Sequence, residues 1–140
     1  MEGNSMTFVF SLADKREVDV SLVGGKASSL AELSRVRGIQ VPPAVVITSL
    51  AYEAFLEAHP EIAKQIEHLE QLTDQKQIQG PAQAIQEAMR SAEVPDSLRA
   101  AIIKAYEDLS CSIRGKAALV SVRSSAIIFL VWLPSSLHIQ

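Results

Sequence analysis

With 140 residues, of which 48% are hydrophobic, the chain is long enough to form one domain with its own core. Its 16 acidic and 13 basic residues give a net charge of −3, which leaves no general basic surplus for a protein whose main function is binding nucleic acid. The single cysteine, Cys111, excludes an intrachain disulfide and predicts a reducing, cytoplasmic location. The three histidines are scattered and show no metal-ligand spacing, so no metal site is predicted from them.

The apolar residues do not predict a membrane span. No basic region followed by an apolar stretch opens the chain, so no signal peptide is predicted. The one long apolar run, residues 126–133, is well short of the ~20 residues that a membrane-spanning helix needs. A peripheral wedge built on residues 127–132 is a weaker alternative, because no cluster of lysine or arginine flanks it.

The first third of the chain predicts a strand, a helix and a second strand. Residues 7–11 are β-prone. After Gly24-Gly25, residues 26–36 carry apolar side chains on one helical face, and Gly38 is a suitable C-terminal stop. Residues 44–48 are apolar and largely β-branched, which predicts a buried strand.

The middle of the chain changes to a helical period and predicts four more helices. Pro60 separates the first from the second, and the polar residues 73–79 predict a loop. Gly80-Pro81 is predicted to open the third helix and residues 94–96 the fourth. A return to strand is predicted at residues 119–122. This order of elements predicts an α+β or α/β domain without internal repeats.

Gly24-Gly25-Lys26 is the first candidate for binding phosphate. Two residues without a Cβ let the backbone turn tightly and expose its N–H groups. The start of the following helix favours an anion, and Lys26 adds a full positive charge. The segment is not a P-loop, because Val20 and Ala27 stand where that motif has Gly and Ser or Thr. On this segment alone, an ordinary strand-to-helix turn with a solvated lysine remains an open alternative.

Arg123 is the second candidate for binding phosphate, together with the neighbouring hydroxyls of Ser124 and Ser125. In a strand, Ser121, Arg123 and Ser125 point to one face. A guanidinium beside hydroxyl groups suits bidentate recognition of phosphate oxygens. An edge strand with a solvated arginine is the alternative for this segment.

Four blocks of the chain, in the expected order, resemble the ATP-binding domain of phosphoenolpyruvate synthase, which pyruvate phosphate dikinase and rifamycin phosphotransferase share. The blocks are residues 22–33, 41–48, 94–109 and 122–126. The resemblance implies an ATP-grasp-type fold in which Lys26 and Arg123 contact ATP phosphates. In this family, a phosphoryl group of ATP passes to a histidine on a separate swivelling domain, and then to pyruvate or another acceptor. The implied ATP-binding residues are Gly24, Gly25, Lys26, Arg123, Ser124 and Ser125.

The chain departs from the family pattern at two places. Ala44-Val45 stands where the family usually has Gly-Phe. After Ala126 the family continues with a Glu-Asp pair and a Ser-Phe-Ala-Gly loop, whereas residues 127–133 are apolar. The carboxylates that hold Mg²⁺ in such enzymes are therefore not expected in this chain, and neither are the phosphohistidine and acceptor domains. Without the metal, little stabilises the charge on a transferring phosphoryl group.

The predicted organisation has three parts: an N-terminal extension with a short strand (1–19), a partial dikinase-type ATP-binding domain (20–126) and an apolar tail outside the family pattern (127–140). The expected fold is α+β, the incomplete N-terminal portion of an ATP-grasp-type domain with a short sheet and a helical block. The expected function is that of an ATP-binding fragment, catalytically incomplete, from a truncated or frameshifted reading frame. A non-catalytic helical interaction module is the alternative. Expected partners are ATP, the missing dikinase domains or further copies of the chain bound through the tail.

Overall fold

The computed structural model describes residues 7–14, 19–112 and 118–124. These residues form an α+β fold with two short strands, five α-helices and a single 3₁₀ turn at Leu12–Asp14. The strands are β1 (Val9–Ser11) and β2 (Val45–Ile47). The helices are α1 (Val20–Arg35), α2 (Ser49–Ala58), α3 (Pro60–Glu70), α4 (Gln75–Ser91) and α5 (Asp96–Ser112).

The chain divides into two compact units. The first unit takes Met1–Ala51 and Ala100–Gln140, and the second takes Tyr52–Arg99. The first unit therefore contains the sheet, α1 and most of α5, whereas the second contains α3, α4 and most of α2. Both cationic segments identified in the sequence, around Lys26 and around Arg123, belong to the first unit.

Antiparallel pairing of β1 with β2 brings the start of the chain to the segment that follows α1. Val9 lies opposite Ile47, and Phe10 lies opposite Val46. The Thr48 hydroxyl donates a hydrogen bond to the carbonyl of Thr7 at 2.9 Å, which extends the pairing beyond the strand. Both predicted strands are confirmed. The antiparallel pairing, together with the helices outside the sheet, gives an α+β rather than an α/β arrangement.

The prediction that β2 is buried was wrong. Val45 and Val46 are half-buried, and Ile47 is 54% exposed. The described sheet has only two strands, so β2 has one paired neighbour instead of the two that enclose a central strand. A short apolar run is equally compatible with such a partly covered strand, because its composition does not record how many neighbours it has.

The core of the first unit is formed largely by small side chains of α1. Val23, Ala27 and Ala31 are all buried, and Ala27 and Ala31, four residues apart, lie on one face of the helix. This face contacts β2 and the 3₁₀ turn, where Leu12 is also buried. Because alanine adds little bulk, the α1 backbone can lie close to these neighbours.

The second unit is a helical block in which α3 packs against α4. Ile62 of α3 is 2% exposed and Ile85 of α4 is also buried, as the apolar stripes of the sequence predict. His59 precedes α3, and its Nε2 lies 2.7 Å from the carbonyl oxygen of Glu93. Its ring also packs against the Phe55 ring at an interplanar angle of 49°, with centroids 4.8 Å apart, which fastens the start of α3 within this unit.

The predicted start of α4 at Gly80-Pro81 was wrong. The helix begins at Gln75, and Asp74 caps it by accepting a hydrogen bond from the Lys76 backbone N–H at 3.0 Å. Pro81 therefore lies inside the helix. The polar first turns of α4 lack an apolar period, which is why the sequence pattern placed a loop there. The other predicted helix starts, near Ser49, at Pro60 and after Pro95, are confirmed.

Candidate functional site

The glycine pair interrupts α1 near its beginning. Gly24 has φ 78° and ψ 166°, a non-helical conformation that glycine adopts and residues with a Cβ essentially do not. One helical turn, residues 20–23, precedes the break, and residues 25–35 continue the helix after it. The tight turn predicted at the glycines is confirmed. The helix ends at Arg35, and Gly38 follows with φ 91°, close to the predicted stop.

The break gives α1 a second helix start at Gly25 and Lys26. The first N–H groups of a helical stretch have no partner one turn earlier, and they carry partial positive charge. Gly25 and Lys26 are exposed, whereas Val23 and Ala27 on either side are buried. The buried neighbours thus hold the turn in the first unit while its cationic residue faces solvent.

Nothing in the described structure requires glycine at position 25. A Cβ built on Gly25 meets no atom within 4 Å, and the backbone there is not in the left-handed region. The two glycines therefore differ. The backbone conformation at position 24 requires glycine, whereas the missing side chain at position 25 leaves open space above an exposed stretch of backbone. Such space is what a phosphate group needs in order to approach N–H groups closely.

Asp19 and Ser49 hold the helical turn that precedes the break. Asp19 caps it by accepting a hydrogen bond from the Ser21 backbone N–H at 2.9 Å. Hydrogen bonds from the side chain and then the backbone of Ser21 hold the pKa of the Asp19 carboxyl below its ordinary value. The cap therefore contributes at neutral pH and is lost as the pH falls through that lowered pKa. The Ser49 hydroxyl donates to the Ser21 carbonyl at 3.3 Å, which ties the start of α2 to this turn.

The Arg123 segment has a different conformation from the one predicted. Residues 118–124 form neither strand nor helix, so the predicted strand at residues 119–122 was wrong. β-Branched residues favour a strand through packing against cross-strand neighbours, and no strand of the described chain pairs with this segment. Arg123 and Ser124 are exposed, and Ser125 lies outside the described residues.

One residue of this segment is fastened to α5. The Tyr106 hydroxyl donates a hydrogen bond to the Ala118 carbonyl at 2.9 Å. The Ala118 N–H donates in turn to the Ser110 hydroxyl at 3.2 Å. Ser110 is only 8% exposed. Neither hydroxyl was predicted to be functional from the sequence. The available signals were their spacing of one helical turn and the position of Tyr106 in the block 94–109 that resembles the family.

Lys26 and Arg123 share two properties in the structure. Both lie in the first unit and both are exposed. The ion pairs found among the described residues join Lys104 to Asp108 and His59 to Glu61, so neither Lys26 nor Arg123 is neutralised by one of them. Their ability to reach one triphosphate together stays a prediction.

Within the part of the chain that the structure describes, no group of three or more His, Cys, Asp or Glu side chains is arranged to hold a metal ion. None of its helices combines the length and the apolar character needed to cross a membrane.

Comparison with known protein families places both cationic segments in one domain. Residues 20–128 match the family described as pyruvate phosphate dikinase, AMP/ATP-binding domain. The chain belongs to this family. The matched range runs from the first residue of α1 to beyond Arg123, so the glycine turn and the arginine segment both fall within the dikinase AMP/ATP-binding domain.

Named relatives agree with this assignment. The chain is 38% identical over 128 residues to a probable phosphoenolpyruvate synthase of Methanocaldococcus jannaschii, covering 89% of the chain and 11% of that protein. It is 36% identical over 126 residues to the phosphoenolpyruvate synthase of Helicobacter pylori, covering 86% and 16%. A rifampicin phosphotransferase of Streptomyces sviceus is 33% identical over 121 residues, covering 85% and 13%. The chain thus spans between 11% and 16% of the length of these three curated relatives.

The different backbone requirements at Gly24 and Gly25 predict opposite effects of alanine on stability. Gly24→Ala is expected to lower the free energy of unfolding by about 1–3 kcal/mol, because its conformation strains any residue with a Cβ. Gly25→Ala is expected to raise it by about 0.5 kcal/mol, because alanine favours the helix and meets no atom. Urea unfolding followed by circular dichroism measures both changes.

Gly80→Ala is the matched control for Gly25→Ala. Gly80 lies inside α4, in the second unit, and a Cβ there also meets no atom within 4 Å. Gly80→Ala should likewise raise the free energy of unfolding. Equal destabilisation by Gly24→Ala and Gly25→Ala would contradict the geometry of the turn.

Proposed function

We propose that the chain binds ATP, with the phosphates held by the glycine turn of α1 and by Arg123. The observation that carries the proposal is the break at Gly24, which exposes a helix start, a glycine with open space above it and a lysine. Membership of a family described by AMP/ATP binding supports a nucleotide as the ligand. The proposed contacts come from Gly24, Gly25, Lys26, Arg123, Ser124 and Ser125.

The two cations supply different kinds of phosphate contact. The Lys26 ammonium is a compact charge on a flexible stem, so it can follow a phosphate oxygen at the helix start. The Arg123 guanidinium is planar and can donate two parallel hydrogen bonds to one phosphate group. The hydroxyls of Ser124 and Ser125 add neutral donors next to it. Together these groups offset part of the negative charge of a triphosphate.

We further propose the domain organisation that the resemblance implies. Residues 20–126 form the N-terminal portion of an ATP-grasp-type domain, preceded by an extension at residues 1–19 and followed by the tail at residues 127–140. The family match over residues 20–128 supports the first boundary closely and the second to within two residues. Cytoplasmic location belongs to the same proposal, since Cys111 is the chain's one cysteine and is exposed.

We also propose that this chain alone does not transfer a phosphoryl group. By the shares given above, the two synthases are about five and eight times as long as this chain. Phosphoryl transfer requires a metal and an acceptor held in line with the leaving group. The residues expected to hold Mg²⁺ in the family are replaced by the apolar run at residues 127–133, which lies outside the described structure. The remaining dikinase domains are therefore proposed partners.

One observation favours a second candidate, a helical interaction module that keeps the family scaffold. Leu30 and Leu33 of α1 are 41% and 42% exposed, and Val36 just after it is 48% exposed. These side chains follow each other at intervals of three residues, so they lie along neighbouring positions of one surface. A partner that covers this surface needs no nucleotide, and ATP titration separates the two candidates.

Removal of either cation is expected to weaken ATP binding. Charge-assisted hydrogen bonds to phosphate contribute roughly 1.5–3 kcal/mol each, so Lys26→Ala and Arg123→Ala should each raise the Kd about tenfold or more. Isothermal titration calorimetry of the purified chain with ATP, with and without Mg²⁺, gives the Kd directly.

Lys76→Ala and Arg90→Ala are the matched controls for this titration. Both residues are exposed and lie on α4 in the second unit, so their substitution removes the same charge without altering either segment proposed to bind phosphate. Their Kd should equal that of the unmodified chain. Equal affinity in Lys26→Ala, Arg123→Ala and the controls would remove the phosphate-site proposal.

The isolated chain is expected to show no phosphoryl transfer. Incubation with ATP, Mg²⁺ and pyruvate, followed by assays for phosphate, AMP and phosphoenolpyruvate, should give only background release. Turnover that disappears in Arg123→Ala would show that the chain is catalytically complete and would overturn this part of the proposal.

Self-association through the apolar tail is expected. Residues 127–133 are apolar, β-prone and uncharged, a composition that promotes intermolecular strand pairing. Deletion of residues 127–140 should shift the size distribution in light scattering toward monomer while the helical circular dichroism signal persists. If the deletion melts the helices, the tail belongs to the core and the self-association proposal is wrong.

A further inference from the structure

The junction between α5 and the Arg123 segment is built from side-chain hydroxyls. Tyr106 and Ser110 are four residues apart on α5, so they lie on the same helical face. The Tyr106 hydroxyl donates to the carbonyl of Ala118, and the Ser110 hydroxyl accepts from the N–H of the same residue. Both hydrogen bonds are partly buried. Both backbone polar groups of Ala118 are therefore held by α5.

Beyond Ala118 the segment has little other support. Among the described residues, positions 119–124 take part in no hydrogen bond, and Leu119 and Val122 are exposed by 102% and 57%. Within the described structure, Ala118 is thus the point that fastens the Arg123 segment to the first unit. The hydroxyl pair of Tyr106 and Ser110 is called the clamp below.

The clamp shortens the free chain that carries Arg123. Arg123 follows Ala118 by five residues, which span at most about 17 Å when extended. The preceding described residue is Ser112 at the end of α5, eleven residues before Arg123, and a chain of that length spans at most about 38 Å. The local concentration of a tethered group falls roughly as the −3/2 power of tether length. Lengthening the tether from five to eleven residues therefore lowers the local concentration of the Arg123 side chain about threefold.

We propose that Tyr106 and Ser110 are positioning residues for nucleotide binding, which act by holding Ala118 so that Arg123 stays within reach of the phosphates. This inference rests on the proposed ATP site. Tyr106 and Ser110 contact no phosphate themselves; their effect on affinity passes through Arg123. A purely structural role of the clamp would instead change stability without any dependence on Arg123.

Double-mutant titration distinguishes these roles. Tyr106→Phe removes only the donor hydroxyl and keeps the ring, while Ser110→Ala removes the acceptor. Each variant is titrated calorimetrically with ATP, alone and combined with Arg123→Ala. Each single variant removes one of the two hydrogen bonds to Ala118, so it should raise the Kd by up to about threefold and by less than Arg123→Ala does. In the Arg123→Ala background, neither should change the Kd further, because the group that they position is absent.

Ser112→Ala is the matched control on the same helix. Its hydroxyl donates to the Leu109 carbonyl at 2.6 Å, a bond within α5 that does not touch the segment. It should leave the Kd unchanged. A thermal unfolding curve of every variant identifies any that is not folded at the titration temperature, and Tyr106→Phe then serves as the milder test beside Ser110→Ala.

Each outcome bears on one proposal or the other. If Arg123→Ala weakens binding but Tyr106→Phe and Ser110→Ala do not, the clamp has no positioning role and the ATP site stands. If the clamp variants weaken binding equally with and without Arg123, their effect is structural and the positioning role is overturned. If Arg123→Ala leaves the Kd unchanged, the proposed phosphate site fails, and the positioning role fails with it.

Discussion

The backbone at Gly24 constrains the rest of the first unit. In a helix that ran unbroken from Val20, the N–H groups of Gly25 and Lys26 would donate to carbonyls one turn earlier. The conformation at Gly24 interrupts this hydrogen-bond pattern, which starts again after the break. Val23 and Ala27 are buried on either side of the break, which anchors it from within. The exposed Lys26 and the open backbone at Gly25 are direct consequences of this one turn.

Local signals in the sequence predicted most of the helices, because the residues that start and stop them act over a few positions. Pro60 and Pro95 set the beginnings of α3 and α5, and the glycine turn was visible as a pair of residues without Cβ. The start of α4 was not predicted because it depends on one capping carboxylate, that of Asp74, which is followed mainly by polar residues. Apolar periodicity cannot detect a helix whose first two turns are polar.

The strands show what sequence patterns leave undetermined. β2 was identified by its composition, but its exposure depends on the number of strands beside it, which is a property of the whole fold. Residues 119–122 are also rich in β-branched and apolar side chains but form no strand, since the described structure offers them no partner. Gly24 and Lys26 could therefore be placed from the sequence, whereas the surroundings of Arg123 depend on Tyr106 and Ser110, whose contacts with Ala118 no local pattern indicates.

The division of the chain into units has a consequence for how the protein is made. The second unit is one continuous stretch whose main contact joins the neighbouring helices α3 and α4, so it can fold as soon as that stretch has been synthesised. The first unit is discontinuous, and its two portions enclose the second in sequence. Lys26 emerges from the ribosome before the second unit, and Arg123 emerges after it. We therefore expect the glycine turn to wait, while the second unit is synthesised, for the segment that carries Arg123.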